Sequence, residues 1–152
     1  MKIVIASGYF DPISGKGAIE YLKMSKQIAG VDGKLIVIVN NDQQATLKKG
    51  RAFMLCDDRI TILKELRDVD EVVKSIDIDR TVCKTVEMIY NKYKYIYENE
   101  LEIWFANGGD VYNNEKMPEK SICDKLGIKL TEKLGDKISS SSWLTGLIPL
   151  KI

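Results

Sequence analysis

The chain has 152 residues, one ordinary domain's worth and enough to bury roughly two-thirds of the surface its unfolded form exposes. Its 23 Lys and Arg stand against 22 Asp and Glu, a formal charge of +1 that excludes nucleic-acid or membrane binding driven by net charge and leaves room only for a local basic patch. It contains no histidine, so His-based triads and HExxH metal sites are excluded outright. Cys56, Cys83 and Cys123 are odd in number, widely spaced and without a C-x-x-C, which suggests neither a disulfide framework nor a zinc site and fits a reducing cytoplasm. The first apolar run is too short for a signal peptide and no stretch approaches a bilayer span, so a cytoplasmic protein is expected.

Ile3 to Ala6 form a continuous apolar run, the pattern of a strand covered on both faces. Gly8, Pro12, Gly15 and Gly17 break and bend the chain, and a helix follows from Gly17 with Ala18, Ile19, Leu22 and Ala29 on one face. A helix opening from a glycine-rich turn points its unpaired N–H groups back at that turn, which favours an anion, and Lys16 adds a positive charge. A plain strand-to-helix turn is the competing reading. A Walker A loop would need glycine where Phe10 stands, and the dinucleotide G-x-G-x-x-G fails on spacing.

Lys34 to Asn40 reads as a second buried strand, ended by Asn41 and Asp42, and Gln43 to Arg51 as a solvated polar loop carrying Lys48, Lys49 and Arg51. A helix is expected over Cys56 to Arg67, a more exposed strand over Asp70 to Ile76, and a helix over Arg80 to Tyr97 whose tyrosines serve packing rather than base stacking. Glu102 to Asn107 is a fourth strand running into Gly108, Gly109 and Asp110, where backbone can approach a ligand with an acid at hand, or simply turn. Pro118 to Leu126 reads as a short helix and Ile128 to Leu134 as a fifth strand. Ile138 and Ser139 to Ser142 then offer either a second phosphate cradle or a capped helix with extra serines. Strands alternating with helices give a doubly wound parallel α/β sheet, a single domain over 1–152, with ligands beyond the carboxyl ends of the strands.

The order of these segments resembles the cytidylyltransferase-like nucleotidyltransferases, most nearly the glycerol-3-phosphate cytidylyltransferase branch. The family's G-T-F-D-x-x-H-x-G-H is in register with Gly8-Tyr9-Phe10-Asp11-Pro12-Ile13-Ser14-Gly15-Lys16-Gly17. Its lysine-rich loop before a helix bearing Arg resembles Leu47 to Arg51 followed by Arg59, and its V-D-E-V segment resembles Val69 to Val72. Its G-D-D is similar to Gly108-Gly109-Asp110, and its R-T-x-G-I-S-[ST]-[ST] to the run ending in Ile138-Ser139-Ser140-Ser141. The two signature histidines are replaced by Ser14 and Gly17 with Lys16 between them, and the late arginine falls near Leu134.

The resemblance implies a Rossmann-like fold and attack by a phosphorylated alcohol on the α-phosphate of a nucleoside triphosphate, CTP favoured, with Mg²⁺ and release of pyrophosphate. It implies Ser14, Lys16, Lys48 and Arg59 as catalytic residues. Gly8, Tyr9, Phe10, Asp11, Gly17, Gly109, Asp110, Ile138, Ser139, Ser140 and Ser141 are implied as nucleotide-binding, with no protein-held metal. Its partners would be the triphosphate and the small phosphorylated substrate, without nucleic acid or a membrane span, in a homodimer. The altered signature gives the alternative: an inactive nucleotide-binding or scaffold protein that keeps the fold.

Overall fold

The computed structural model describes residues 1–108 and 117–135, together with Thr145. Its elements run β1 (Lys2–Gly8), α1 (Lys16–Ala29), β2 (Lys34–Val39), α2 (Asp42–Lys49), α3 (Cys56–Lys64), β3 (Glu71–Lys74), α4 (Cys83–Tyr97), β4 (Glu102–Asn107), α5 (Lys120–Leu126) and β5 (Lys129–Lys133). All strand pairs are parallel, in the order β3-β2-β1-β4-β5. The expected doubly wound α/β architecture is therefore the observed one.

The continuous apolar runs are explained by which way alternate side chains point. Ile3, Ile5, Ile36, Ile38, Ile103 and Phe105 meet Val86, Ile89 and Tyr93 of α4 and Cys123 of α5 on one face. On the other, Val4, Ala6, Leu35, Val37, Val39 and Ala106 meet Leu22 and Ala29 of α1 and Cys56 and Leu63 of α3. Both faces of the three central strands are thus covered, and each fully buried Ile, Leu or Val stabilises by about 1.5–3 kcal/mol. Among the described residues, no helix is long and apolar enough to cross a membrane.

The segment expected as a polar loop over Gln43 to Arg51 is instead the helix α2. Asn41 is its N-cap: the side chain accepts from Gln44 N at 2.8 Å while Gln44 Oε1 accepts from Asn41 N at 3.0 Å, a reciprocal capping box. The same two side chains fasten the loop after β3, Asn41 Nδ2 donating to Ser75 O and Asp77 O and Gln44 Nε2 to Asp79 O and Thr81 O. That tether explains why α4 begins at Cys83 and not at Arg80. Its first turn is capped from a distance by the buried Asp77, which accepts from Lys84 N, Thr85 N and Thr85 Oγ1. β3 is also shorter than expected, ending at Lys74, because it is a half-exposed edge strand paired only with β2 among the described residues.

Candidate active site

From β1 the chain winds outward through β2 and β3, then returns to the other side of β1 to lay down β4 and β5. The winding reverses between β1 and β4, and a parallel sheet opens a crevice at the carboxyl ends of the strands flanking such a reversal. Tyr21 of α1 closes the floor of that crevice: its hydroxyl accepts from Ser7 N and donates to Ala106 O, both at 3.2 Å, tying the helix to both strands.

The turn that leaves β1 is tightly built. Phe10 takes a positive φ of 51°, and its ring folds back so closely that a Cβ on Gly8 would stand 3.0 Å from it. A bulky residue held in this region marks a backbone fixed by its surroundings. Ser14 Oγ then accepts from Ala18 N at 3.0 Å and caps the first turn of α1. The amides of Lys16 and Gly17 precede the first intrahelical acceptor, so the helix cannot satisfy them itself. Lys16 is exposed there and Gly17 half-buried, which leaves this helix beginning accessible at the rim.

Beneath the turn lies a buried knot of charge. The Asp11 carboxylate accepts from Phe53 N and Met54 N at 2.8 and 2.5 Å and faces Lys49 Nζ at 3.0 Å, with both side chains nearly inaccessible. Burial would raise its pKa, but the two amides and the Lys49 ammonium outweigh that and hold it below the usual carboxylate range. Arg59 is fully buried beside it, donating through Nε to Met54 O, through Nη1 to Tyr9 O and Asn40 O, and through Nη2 to Asp42 Oδ1. One guanidinium thereby fixes the ends of β1 and β2 and the segment entering α3.

Tyr9 lies over this knot. Lys48 Nζ sits 4.3 Å from its ring centroid and Lys49 Nζ 6.0 Å, within cation–π reach of the ring. At the other end its hydroxyl is buried, close to the Arg80 guanidinium and within electrostatic reach of Glu119. Burial dominates there and raises the phenol's pKa. Glu119 is 9 % exposed, its Oε2 is buried without a hydrogen-bond partner among the described residues, and burial, reinforced by Asp77 and Asp79, pushes its carboxyl up to about 7.

The cytidylyltransferase-like family profile matches residues 5–142 and so takes in part of every strand and the turn that leaves β1. The chain belongs to the cytidylyltransferase-like family. As a family member it is 29 % identical over 112 residues to a FAD synthase of Methanopyrus kandleri, covering 71 % of this chain and 74 % of that protein. It is 36 % identical over 86 residues to a FAD synthase of Methanothermus fervidus, covering 56 % and 57 %. A solved structure similar to this family member is the lipopolysaccharide core biosynthesis protein from Thermoplasma volcanium. The TM-score is 0.63 at 27 % identity, covering 88 % of this chain and 96 % of that one.

Of the residues singled out in the sequence, Gly8, Tyr9, Phe10, Asp11, Ser14, Lys16 and Gly17 form one continuous rim turn, and Lys48 is drawn to it through the Tyr9 ring. Arg59 lies below the rim with four of its N–H groups engaged by protein oxygens. Gly109, Asp110, Ile138, Ser139, Ser140 and Ser141 lie outside the described residues. Sequence reasoning missed Lys49 as the partner of Asp11, Asp42 as the partner of Arg59, and Glu119 altogether. The Asn41-x-x-Gln44 spacing was a legible signal for α2 and hence for Lys49 on its inner face; nothing local marked Glu119. Among the described residues, no group of three or more Asp, Glu, Cys or His side chains is arranged to hold a metal ion.

Proposed function

We propose that this cytidylyltransferase-like protein transfers a nucleotidyl group from a nucleoside triphosphate to a small phosphorylated alcohol. A phosphate oxygen of the acceptor attacks the α-phosphorus, the bond to the β-phosphate breaks, and pyrophosphate leaves with no covalent enzyme intermediate. Catalysis of this kind rests on positioning and electrostatics. The observation that carries the reading is the accessible beginning of α1 at the winding reversal, with Ser14, Lys16 and Gly17 at its mouth and Lys48 held alongside by Tyr9. A helix N-terminus and two ammonium groups suit the charge that builds on the phosphates.

In this reading Lys16 and Lys48 contact phosphate, Ser14 shapes the helix mouth, and Arg59 with Asp11 and Lys49 holds the turn rigid from below. Gly109, Asp110 and Ile138 to Ser141 supply the nucleoside and triphosphate contacts assigned to them by resemblance. Mg²⁺ arrives on the triphosphate oxygens. CTP is the donor favoured by the cytidylyltransferase resemblance, whereas the relatives named FAD synthase favour an adenine nucleotide. Pyrophosphate release measured with CTP, ATP, GTP and UTP against pooled phospho-alcohols tests the proposal. Product with one triphosphate and its loss in Lys16→Ala are expected; no product at high enzyme loading, with Lys16→Ala indistinguishable, overturns it.

One observation favours a second reading, an inactive nucleotide-binding protein. Ser14 and Gly17 stand where the family motif has histidines, and Arg59 is locked in the knot below them. That protein would gain thermal stability from a triphosphate without turning it over.

A further inference from the structure

Arg80 belongs to the loop between β3 and α4, and its backbone is fixed on both sides. Gln44, fully buried on α2, donates through Nε2 to Asp79 O at 2.7 Å and to Thr81 O at 2.8 Å, the two carbonyls that bracket it. Asp79 Oδ1 accepts from Thr81 N and Thr81 Oγ1, closing a tight turn with Arg80 exposed at its tip. The same helix carries Lys48 one turn beyond Gln44, at the spacing of neighbours on one helix face. This loop leaves the edge strand β3, with β2 between it and β1, yet the guanidinium stands close to the hydroxyl of Tyr9, the residue that follows β1. The side chain therefore lies across the carboxyl edge of the sheet.

Its charge is placed differently from that of its cationic neighbours. Lys49 is sealed against Asp11, and Arg59 is buried against Asp42 with its other donors on backbone oxygens. The acids next to Arg80 are engaged elsewhere, Asp79 with Thr81 and Asp77 with the first turn of α4. Among the described residues, no ion pair joins Arg80 to a carboxylate. A guanidinium carries several N–H donors in a planar fork and no acceptor, so the Tyr9 hydroxyl can occupy only part of it. An exposed fork with donors to spare matches two oxygens of one phosphate.

The layers of the fold say which phosphate. α1 packs on one face of the sheet and α4 on the other, so the mouth of α1 and the loop entering α4 flank the carboxyl edge from opposite layers. Joining two phosphates brings two anions together, and each needs a cation of its own. A triphosphate at the mouth of α1 leaves the α4 side for its partner. We propose that Arg80 grips the phosphate of the acceptor through two parallel N–H donors from the α4 side of the carboxyl edge, its loop held in place by Gln44. This rests on the nucleotidyl-transfer reading for the ligand's part in the reaction, and names the residue that seats it.

The test uses the full chain with its Arg80→Ala, Arg80→Lys and Lys16→Ala variants, glycerol 3-phosphate, phenyl phosphate and inorganic phosphate as probes, and CTP and ATP as donors. Where turnover is found, Arg80→Ala raises the acceptor KM by about tenfold or more while the triphosphate KM holds, and Arg80→Lys recovers only part, because an ammonium does not reproduce the fork. An acceptor KM that Arg80→Ala leaves unmoved, a rise confined to the triphosphate KM, or a rise shared by both overturns the assignment and leaves nucleotidyl transfer standing. If no pair is turned over, the transfer reading fails and thermal shift decides Arg80 alone. Protection of the unmodified protein by a probe, kept in Lys16→Ala and lost in Arg80→Ala, upholds phosphate binding at Arg80, and any other pattern, protection by no probe included, overturns it. Each shift is read against the same variant without probe, so a change in intrinsic stability does not enter.

Discussion

Replacing Glu119 by Gln is expected to stabilise the protein at neutral and alkaline pH and to leave it nearly unchanged in acid. In the folded protein the Glu119 proton is held up to about 7, against 4.5 for an ordinary glutamate, because burial disfavours the carboxylate and Asp77 and Asp79 add repulsion. Between those two values the folded state binds a proton that the unfolded state releases, so stability falls as pH rises from 4.5 to 7 and stays reduced above it. At ~1.4 kcal/mol per pKa unit, the folded protein forfeits about 3 kcal/mol above pH 7. Gln keeps the shape and carries no charge, so it escapes that loss. For a chain of this length the gap corresponds to roughly 6–12 °C in Tm. Of the groups around Glu119, Cys123 is pushed up to about 12, Cys83 and Tyr9 are also raised, and Asp79 is lowered, all away from the window in question. Calorimetric melting of both proteins at pH 5 and pH 8, at fixed ionic strength, measures the difference. A Tm gap equal at the two pH values, or a less stable Gln variant at pH 8, would refute the reasoning.

Asp11→Ala should destabilise by about 3–5 kcal/mol, because it leaves the Lys49 ammonium buried and unpaired and strands the Phe53 and Met54 amides; urea unfolding reads this directly. Since the folded Asp11 pKa is lowered, its contribution is present above the ordinary carboxylate value of 3.8 and is lost as pH falls through the folded one, so the variant's deficit should narrow only in strong acid. Asn41→Ala should lower stability by about 1 kcal/mol for the lost cap of α2, and by more if the loop after β3 loosens with it, visible as faster amide exchange at Asp77 and Thr81. Lys16→Ala, exposed at the helix mouth, should barely move Tm while reducing turnover by about 10²–10³, the loss typical of one preorganised donor to a developing charge. A Tm drop of several degrees would instead make Lys16 a structural residue.

The sequence by itself determined the layered sheet and its family. Ile3 to Ala6, Lys34 to Val39 and Glu102 to Asn107 are apolar enough to be buried on both faces, and Gly8 to Gly17 keeps a signature turn in order with the later motifs. These features are local: a run of side chains, a spacing or a glycine states its own consequence for strand, helix or turn. Tertiary structure decided which charges are sealed against a partner and which stay near the surface. Lys48 and Lys49 are neighbours in one cationic run, yet one ammonium sits over the Tyr9 ring and the other is sealed against Asp11, because α2 turns adjacent residues about 100° apart. Arg59 is buried among partners that lie far along the chain, 50 positions away at Tyr9 and 17 at Asp42. Glu119 carried no local mark at all. A carboxyl's proton affinity follows the water and charge around it, and packing supplies those from segments that the order of residues keeps far apart.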